Sequence, residues 1–313
     1  MTPIRQFESR DTKNILKLWN TVLFLDEITL NVFERKVLLD INREPDSLIV
    51  AELEGKLVGF ALRLVLRYPI ENVGLIPDDG YITAFGVHPD FRLRGIGSQL
   101  LNDSIEFFKK RDRKQIRVGY YPPNYIIPGI DKENYSGGIR FFEHFGFKEY
   151  IEAFAIDASI SKFTLSPKHI EKEKELSEQG IEIRPYRRED LLNFINFLNG
   201  SILGNWVGIA RKNLIDLTRG LYEEDCIFLA LDKGQIIGFC QHEGSRSGPI
   251  GVLEEYQGRG IGTVLRAKIL TSMRKKGYHC AWSLWTSRRH AMGIFARFGS
   301  TITRKFSIME KNL

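Results

Sequence analysis

Two glycine turns of the same design occur in this chain, one in each half. They read Arg92-Leu93-Arg94-Gly95-Ile96-Gly97 and Gln257-Gly258-Arg259-Gly260-Ile261-Gly262. Each follows a short apolar run and precedes apolar residues that recur at the helical period, which predicts a strand, a turn and an amphipathic helix. Because glycine has no Cβ, the turn can curl tightly and aim several N–H groups at one anion, next to the positive end of the helix dipole. The sequence therefore predicts two phosphate-binding turns.

Two better-known phosphate loops do not fit these turns. A dinucleotide fingerprint requires a third glycine where Leu100 and Leu265 stand, and a Walker A loop requires Gly-Lys-Ser or Gly-Lys-Thr, which the sequence lacks. The remaining pattern is Arg/Gln-x-x-Gly-x-Gly between a strand and a helix. It resembles the acyl-CoA pyrophosphate loop of the GNAT superfamily of N-acyltransferases.

The similarity between the two halves extends beyond the turns. Ile4-Arg5 with Asp11 matches Ile183-Arg184 with Asp190, and Gly59-Phe60 matches Gly238-Phe239, all at an offset of 179 residues. The offset falls to 165 at the turns and to 153 between Phe145-Gly146 and Phe298-Gly299. This pattern indicates an internal duplication in which the second copy has lost two segments.

The duplication defines the expected domains. Strands and helices alternate in each copy, which favours the α/β or α+β class. The resemblance implies two tandem GNAT-like domains, each a mixed, mostly antiparallel twisted sheet flanked by helices. We predict an N-terminal domain at residues 1–165 and a C-terminal domain at 181–313. Residues 166–180 carry a run of alternating charges and are predicted to be a linker, either a solvated helix or a tether.

Composition limits the class of protein. The chain has 313 residues, 43% hydrophobic and 27% charged, as expected of a soluble protein with two domains. No apolar stretch approaches the roughly 20 residues needed to cross a bilayer, and the N-terminus lacks a signal-peptide pattern, so we expect a cytoplasmic protein with no membrane partner. Cys226, Cys240 and Cys280 show no metal-binding spacing and are interpreted as buried thiols, and we expect no metal.

Charge is divided unevenly between the halves. Lys plus Arg number 22 against 23 Asp plus Glu from Met1 to Leu165, but 23 against 16 from Ser166 to Leu313. A basic surface would help to capture CoA, and it could equally dock on an acidic partner or nucleic acid. The basic run at 109–114 has no interleaved aromatic residue, which argues against nucleic acid. We expect a small-molecule amine as the acceptor.

The resemblance implies acetyl-CoA as co-substrate and assigns its binding residues. They are the turns, the helix starts and the preceding valines: Val87, Arg92, Leu93, Arg94, Gly95, Ile96, Gly97, Ser98, Val252, Gln257, Gly258, Arg259, Gly260, Ile261, Gly262 and Thr263. The family chemistry is direct attack of an amine on the thioester, through a tetrahedral oxyanion. The Val87 main-chain N–H is the predicted oxyanion donor, and Val252 is its counterpart.

The sequence departs from the family pattern at the proton-transfer groups. Phe142 and Phe295 stand where many members place a tyrosine that protonates the departing thiolate. Tyr135, seven residues before Phe142, is the substitute acid that we predict. Asp78 and Asp79 are the carboxylates nearest to the first central strand, and Glu243 is the one near the second. None matches the family's usual base.

These features lead to one prediction and two alternatives. We predict an acyl-CoA-dependent N-acyltransferase, with acetyl-CoA as the expected donor. The first half is favoured for catalysis because it keeps both loop arginines and a long insertion rich in tyrosine and proline, Tyr120 to Asp131. One alternative is a non-catalytic acyl-CoA sensor, motivated by the two missing tyrosines. The other is a division of labour, in which one copy holds CoA and the other supports the fold or the acceptor.

Overall fold

The computed structural model describes residues 2–121, 123–200 and 207–313. The strands are β1 Ile4–Gln6, β2 Leu48–Leu53, β3 Lys56–Val65, β4 Asp79–Val87, β5 Gln115–Val118, β6 Ile130–Asp131, β7 Lys148–Ser159, β8 Ile181–Pro185, β9 Ile227–Asp232, β10 Gln235–Glu243, β11 Arg246–Val252, β12 Cys280–Thr286 and β13 Thr301–Asn312. The α-helices are α1 Thr12–Val22, α2 Leu30–Phe33, α3 Ile96–Lys109, α4 Ser136–His144, α5 Pro167–Glu178, α6 Leu191–Asn199, α7 Val207–Thr218, α8 Ile261–Lys275 and α9 Arg288–His290. Two π-helical segments cover Glu34–Leu38 and Ala291–Phe295.

The chain forms two compact units that exchange segments. The N-terminal unit contains Met1–Pro69, Gly74–Ala153 and Lys305–Leu313, and the C-terminal unit contains Ile70–Val73 and Phe154–Arg304. These limits differ from the predicted domains at 1–165 and 181–313. The difference arises from strand pairing: the end of β13 pairs with β5, and the end of β7 pairs with β12. Each unit is therefore completed by a strand from the other half of the sequence.

The N-terminal unit is built on one sheet with the order β1-β2-β3-β4-β5-β13. All neighbours are antiparallel except β4 and β5, which are parallel. Helix α3 buries Leu100 and Leu101 completely against this sheet, and each such leucine contributes about 1.5–3 kcal/mol by leaving water. Trp19 of α1 stacks on Phe60 of β3 with ring centres 5.2 Å apart.

The C-terminal unit repeats this plan with the order β8-β9-β10-β11-β12-β7, in which β11 and β12 are the parallel pair. Alternate residues of β9 enter two different cores: Ala230 packs with α8, whereas Leu229 packs with α6 and α7. This alternation places helices on both faces of the sheet. The predicted fold class, a mixed and mostly antiparallel sheet flanked by helices, is confirmed.

The segment at 166–180 is mostly helix. Ser166 begins it with a capping box, and α5 follows from Pro167. Ile170 is exposed, but Leu176 is buried in the same core as α8, so the helix is part of the C-terminal unit.

The cysteines differ from the expectation at one position. Cys226 and Cys240 are buried as predicted, whereas Cys280 is exposed. It is the first residue of β12, where the strand emerges from the loop after α8. The prediction of a buried thiol was wrong there.

Both central strands carry an irregularity at the same place. The β3–β4 register passes from Leu62↔Ala84 to Arg63↔Ile82, which leaves Thr83 as an extra residue on β4. The β10–β11 register passes from Cys240↔Ile250 to His242↔Ser247, again with one extra residue on the central strand. A bulge increases the local twist. It precedes the segment in which each central strand leaves its parallel neighbour.

Candidate functional site

The first glycine turn has the backbone that the sequence predicts. Gly95 has φ 77° and immediately precedes α3. Leu93 has φ 61° and is fully exposed. A leucine in this left-handed region costs about 1–2 kcal/mol. The second turn has the same two positive angles at Gly258 (78°) and Gly260 (94°), where glycine avoids the cost. The same loop conformation is therefore built twice.

The helix behind the first turn begins without a cap. No side chain bonds to the first turn of α3, and its first internal bond runs from the Gln99 N–H to the Gly95 carbonyl at 3.0 Å. The preceding N–H groups of the turn have no intrahelical partner. Together with the helix dipole they form a site suited to a diphosphate. Gly95 itself is exposed, so this site is open to solvent.

The first residue of each turn ties it to the preceding strand. Arg92 Nε donates to the Val87 carbonyl at 3.1 Å, and Gln257 Nε2 donates to the Val252 carbonyl at 3.1 Å. We predicted both only as anion-binding residues. The sequence signal for these bonds was the spacing of five residues between the valine and the polar side chain, which is the same in both copies. These bonds fix the position of the turn relative to the end of the central strand.

The valines lie where the parallel strands separate. The β4–β5 ladder ends at Ile82↔Val118, and β4 continues to Val87. Val87 is opposite Gly59 of β3, and the adjacent His88 N–H donates to the Val58 carbonyl at 2.8 Å. This makes Val87 a non-hydrogen-bonded partner of Gly59, so its N–H points away from β3 and toward the gap left by β5.

Val252 has the same arrangement in the C-terminal unit. It is opposite Gly238, and the Leu253 N–H donates to the Ile237 carbonyl at 2.9 Å. The β11–β12 ladder has one pair, Arg246↔Trp282. The gap in this copy therefore begins almost at the start of β11.

Aromatic side chains form the wall of the first gap. A Cβ on Gly97 would lie 3.3 Å from the Phe141 ring and 3.7 Å from a Val87 methyl. Glycine at this position thus allows α4 to pack against the start of α3. Phe142, at the position of the family's acid, is buried with its ring 5.4 Å from Phe85 and 5.2 Å from Phe147. Phe142 is a packing residue.

The substitute acid, Tyr135, lies just outside α4. The helix begins at Ser136, one residue later. The Tyr135 hydroxyl donates to Asp26 Oδ2 at 3.1 Å and accepts from the Leu25 N–H at 3.1 Å. Its ring meets Phe24 edge-on at 5.5 Å. The sequence did not indicate the contact with Asp26, because the two residues are 109 positions apart.

A buried polar network holds the insertion. The Tyr121 hydroxyl donates to Asp40 Oδ1 and accepts from Asn42 Nδ2, both at 2.8 Å, and Asn124 donates to Asp40 Oδ2 at 2.9 Å. Burial, and then the charge of Asp40, raises the pKa of Tyr121 far above its usual value. The hydroxyl therefore stays protonated and serves as a fixed bridge. Pro122 lies outside the described residues.

The carboxylates near the central strands do not reach the gap. Asp79 is buried at the first residue of β4, 3.4 Å from Arg117 and bonded by the Tyr81 hydroxyl at 3.1 Å. Burial raises the pKa of Asp79. Eight residues of strand separate it from Val87, which is about 25 Å. Asp78 pairs with Lys114 at 2.9 Å, and Glu243 pairs with Lys212 at 2.8 Å.

Helix α5 packs beside the second glycine turn. A Cβ on Gly260 would lie 2.9 Å from the Lys172 side chain. Arg259 donates to the side chain of Gln179 at 2.8 Å, just after α5, and Lys268 pairs with Glu173 at 2.7 Å. These contacts place α5 beside Gly260, while Gln257, Gly258 and Arg259 remain exposed. The two turns therefore match in backbone but differ in the exposure of the glycine before the helix, which is exposed at Gly95 and half-buried at Gly260.

Two further properties concern the described residues as a whole. None of their helices is both long and apolar enough to span a membrane. Across the same residues, no three His, Cys, Asp or Glu side chains come together as a metal-binding group would require.

Comparison with known proteins agrees with this geometry. The model of the acetyltransferase (GNAT) family matches residues 12–147 and 182–299, one match in each copy and together more than half of the chain. An uncharacterised N-acetyltransferase of Methanocaldococcus jannaschii is 33% identical over 110 residues, 34% of this chain and 41% of that protein. An acetyltransferase of Pectobacterium atrosepticum is 31% identical over 99 residues, 32% of this chain and 62% of that protein. The matches thus span less than two thirds of either relative.

Solved structures share the fold over nearly the whole chain. A GCN5-related glucosamine N-acetyltransferase region of a fungal multi-domain β-N-acetylglucosaminidase has a TM-score of 0.79 at 15% identity, covering 99% of this chain and 38% of that one. A GCN5-related N-acetyltransferase from Sphaerobacter thermophilus has a TM-score of 0.71 at 17% identity, covering 99% and 95%. A tandem GNAT protein from the clavulanic acid biosynthesis pathway has a TM-score of 0.65 at 12% identity, covering 100% and 98%. With two family matches and two copies of the glycine turn, this chain belongs to the acetyltransferase (GNAT) family, in a tandem arrangement.

Proposed function

We propose that the N-terminal unit transfers the acetyl group of acetyl-CoA to a primary amine of a small-molecule acceptor by direct attack. Acyl transfer is the chemistry of the family. The observation that carries the finer assignment is the difference in exposure between the turns: Gly95 is exposed, whereas Gly260 is half-buried with the Lys172 side chain beside it. In this proposal one unit of the tandem pair binds the donor.

The residues of the N-terminal unit fit this donor. The uncapped start of α3 and the turn from Arg92 to Ser98 offer N–H groups and two guanidinium groups to a diphosphate. Acetyl-CoA supplies a thioester whose acyl carbon is open to attack. The Val87 N–H, directed into the gap between β4 and β5, would stabilise the oxyanion that develops on the acyl oxygen. Tyr135 is the proposed proton donor to the departing thiolate.

Calorimetry with acetyl-CoA tests which turn binds the donor. We expect the wild-type chain to bind one equivalent, Gly95→Glu to bind none, and Gly260→Glu to bind as the wild type does. The new carboxylate at position 95 would occupy the anion site with the wrong charge. Gly55→Glu is the matched control, because Gly55 has a similar φ of 74° in a hairpin turn and open space around it. Loss of binding in Gly260→Glu alone would place the site in the C-terminal unit, and no binding by the wild type would refute the proposal.

Replacement of Tyr135 tests its role as the acid. We expect Tyr135→Phe to lower kcat by about 10- to 100-fold, measured as free thiol released with a panel of amines. Binding of acetyl-CoA should not change. Tyr150→Phe is the control, since Tyr150 is an exposed tyrosine of the same unit. An unchanged kcat would mean that Tyr135 only holds the loop at Asp26.

A non-catalytic acyl-CoA sensor is the second candidate. It is favoured by the burial of Phe142 and Phe295 at the two positions of the family's acid. The same thiol-release assay separates the two functions. A sensor binds acetyl-CoA but releases no thiol with any amine.

A further inference from the structure

An arginine is buried in the core of the C-terminal unit without a carboxylate partner. Arg266 lies on α8 and is 1% exposed, and burial lowers the pKa of its guanidinium to about 10. Nη1 donates to the Ser247 hydroxyl of β11, and the Phe295 ring lies 4.7 Å from the guanidinium carbon. In the described part of the chain Arg266 forms no ion pair, and residues 201–206, which lie outside it, contain no Asp or Glu. A buried guanidinium without a counter-charge is costly.

The N-terminal unit shows that the fold itself does not require this charge. The sixth residue of α8 is Arg266, and the sixth residue of α3 is Leu101, which is fully buried and part of the apolar core. That unit has its own buried arginine, Arg63, but Arg63 is paired with Asp103 and donates Nε to the Asp46 carbonyl at 3.1 Å. The contrast shows that Arg266, unlike Arg63, is a buried cation without a carboxylate partner among the described residues.

A second unpaired polar group lies near the Arg266 side chain. The Arg266 Nε has no hydrogen-bond partner, and neither does the Ser300 hydroxyl. Ser300 donates its N–H to the Phe295 carbonyl at 3.2 Å, and the buried Cys240 thiol lies on the same side of β10 as α8. Burial raises the pKa of Cys240 to about 12, so its thiol is neutral and supplies no counter-charge.

We propose that the C-terminal unit binds a small organic monocarboxylate in its interior, ion-paired with Arg266 beside Ser247 and Phe295. A carboxylate only accepts hydrogen bonds, and its two oxygens match the planar fork of a guanidinium. One guanidinium balances one negative charge, which favours a monoanion over a phosphate. The separated strands β11 and β12, which pair only at Arg246↔Trp282, leave the sheet open beside this site. The site is separate from both glycine turns.

Thermal unfolding of the full chain tests this site. The probes are sodium acetate, propionate and benzoate, each compared with sodium chloride at the same ionic strength. We expect at least one carboxylate to raise Tm saturably by about 3 °C in the wild type and to have no such effect on Arg266→Leu. That variant places the residue of the N-terminal copy at the same position. Arg219→Leu, at an exposed arginine of the same unit, should keep the full shift.

Two milder variants keep the test decisive if Arg266→Leu fails to fold. Ser247→Ala retains the guanidinium and should raise the half-saturating carboxylate concentration several-fold. Arg266→Lys retains the charge without the fork and should raise it about tenfold. Direct binding should also shift the Arg266 Nε–H signal in a ¹H–¹⁵N spectrum. The proposal is overturned if no carboxylate acts differently from chloride, or if all variants respond as the wild type does.

Discussion

An ion pair at the start of each unit is reproduced by the duplication. Arg5 contacts Asp11 at 2.6 Å, and Arg184 contacts Asp190 at 2.6 Å. Each aspartate also accepts a backbone N–H, from Glu8 in one copy and from Arg187 in the other, at 2.9 and 2.8 Å. The arginine hydrogen bond lowers the pKa of Asp11 and of Asp190. The ion pair thus links β1 in the first copy, and β8 in the second, to the helical turn that follows the strand.

These aspartates should make stability depend on pH. A carboxylate whose pKa is lower in the folded state stabilises the protein fully above its unfolded pKa, near 3.8, and loses that contribution as the pH falls through the folded value. We expect Asp11→Asn and Asp190→Asn each to cost about 1–3 kcal/mol at pH 7. The difference from wild type should shrink progressively below pH 3.8. Urea unfolding at several pH values measures it.

The surroundings of the two pairs predict an order for these costs. Arg5 keeps a second partner, Glu52, at 2.6 Å, whereas the second carboxylate of Arg184, Glu182, is 3.4 Å away and exposed. Asp190→Asn should therefore cost more than Asp11→Asn. Glu8→Gln, at an exposed pair with Arg10, should cost less than about 0.5 kcal/mol. Equal losses at pH 3 and pH 7 would contradict the electrostatic explanation.

The roles of single residues could be predicted from the sequence where a local backbone conformation requires one residue type. The glycines at 95, 97, 260 and 262 followed from the turn itself. Leu93 did not, because nothing in the sequence indicates that a leucine adopts a positive φ. The contact of Tyr135 with Asp26 and the isolation of Arg266 also depend on packing between distant segments. Sequence spacing does not record such contacts.

At the scale of elements, Asp40 is one anchor of the insertion between β5 and α4. Its two carboxylate oxygens accept from Tyr121, Asn124 and the Asn42 N–H, at 2.8 to 2.9 Å. The Asn42 side chain in turn accepts the Arg67 N–H at 2.8 Å. The insertion is therefore anchored to the segments that follow the π-helical turn and β3.

Removal of one hydroxyl should loosen this element. Tyr121→Phe leaves an Asp40 oxygen and the Asn42 amide short of a partner, and we expect a loss of about 1–3 kcal/mol. Hydrogen exchange should quicken for residues 123–131 while the amides of β10 stay protected. Tyr68→Phe, at an exposed tyrosine, is the control. Unchanged exchange at 123–131 would show that the apolar contacts of the insertion hold it without the network.

Elements were predictable where periodicity was strong, as in α3 and α8, and less so where charge dominated. The run at 171–175 suggested a solvated helix or a tether, yet α5 buries Leu176 and places the Lys172 side chain beside Gly260. One buried leucine in twelve mostly charged residues gives no clear apolar stripe. This is why the sequence did not indicate that α5 packs beside the second turn.

At the scale of the whole molecule, the last strands of the two copies are exchanged. β7 and β13 have the same length and stand at the offset of 153 residues found at Phe145 and Phe298. β7 passes from the N-terminal unit into the C-terminal unit at Phe154, and β13 passes back at Lys305. Strand pairing over nearly two hundred residues leaves no local signature. The predicted domain limits therefore followed the repeat, whereas the compact units follow the strands.

The exchange predicts that a residue near the C-terminus stabilises the N-terminal unit. Met309 is fully buried in the core of that unit and lies opposite Val118 of β5. We expect Met309→Ala to cost about 2–5 kcal/mol and to speed hydrogen exchange at Ile116 and Val118, some 190 residues away in sequence. Met292→Ala is the control, because Met292 is 66% exposed. If hydrogen exchange instead speeds up in β9 and β10 while β5 stays protected, β13 stabilises the C-terminal unit and the two copies do not swap their last strands.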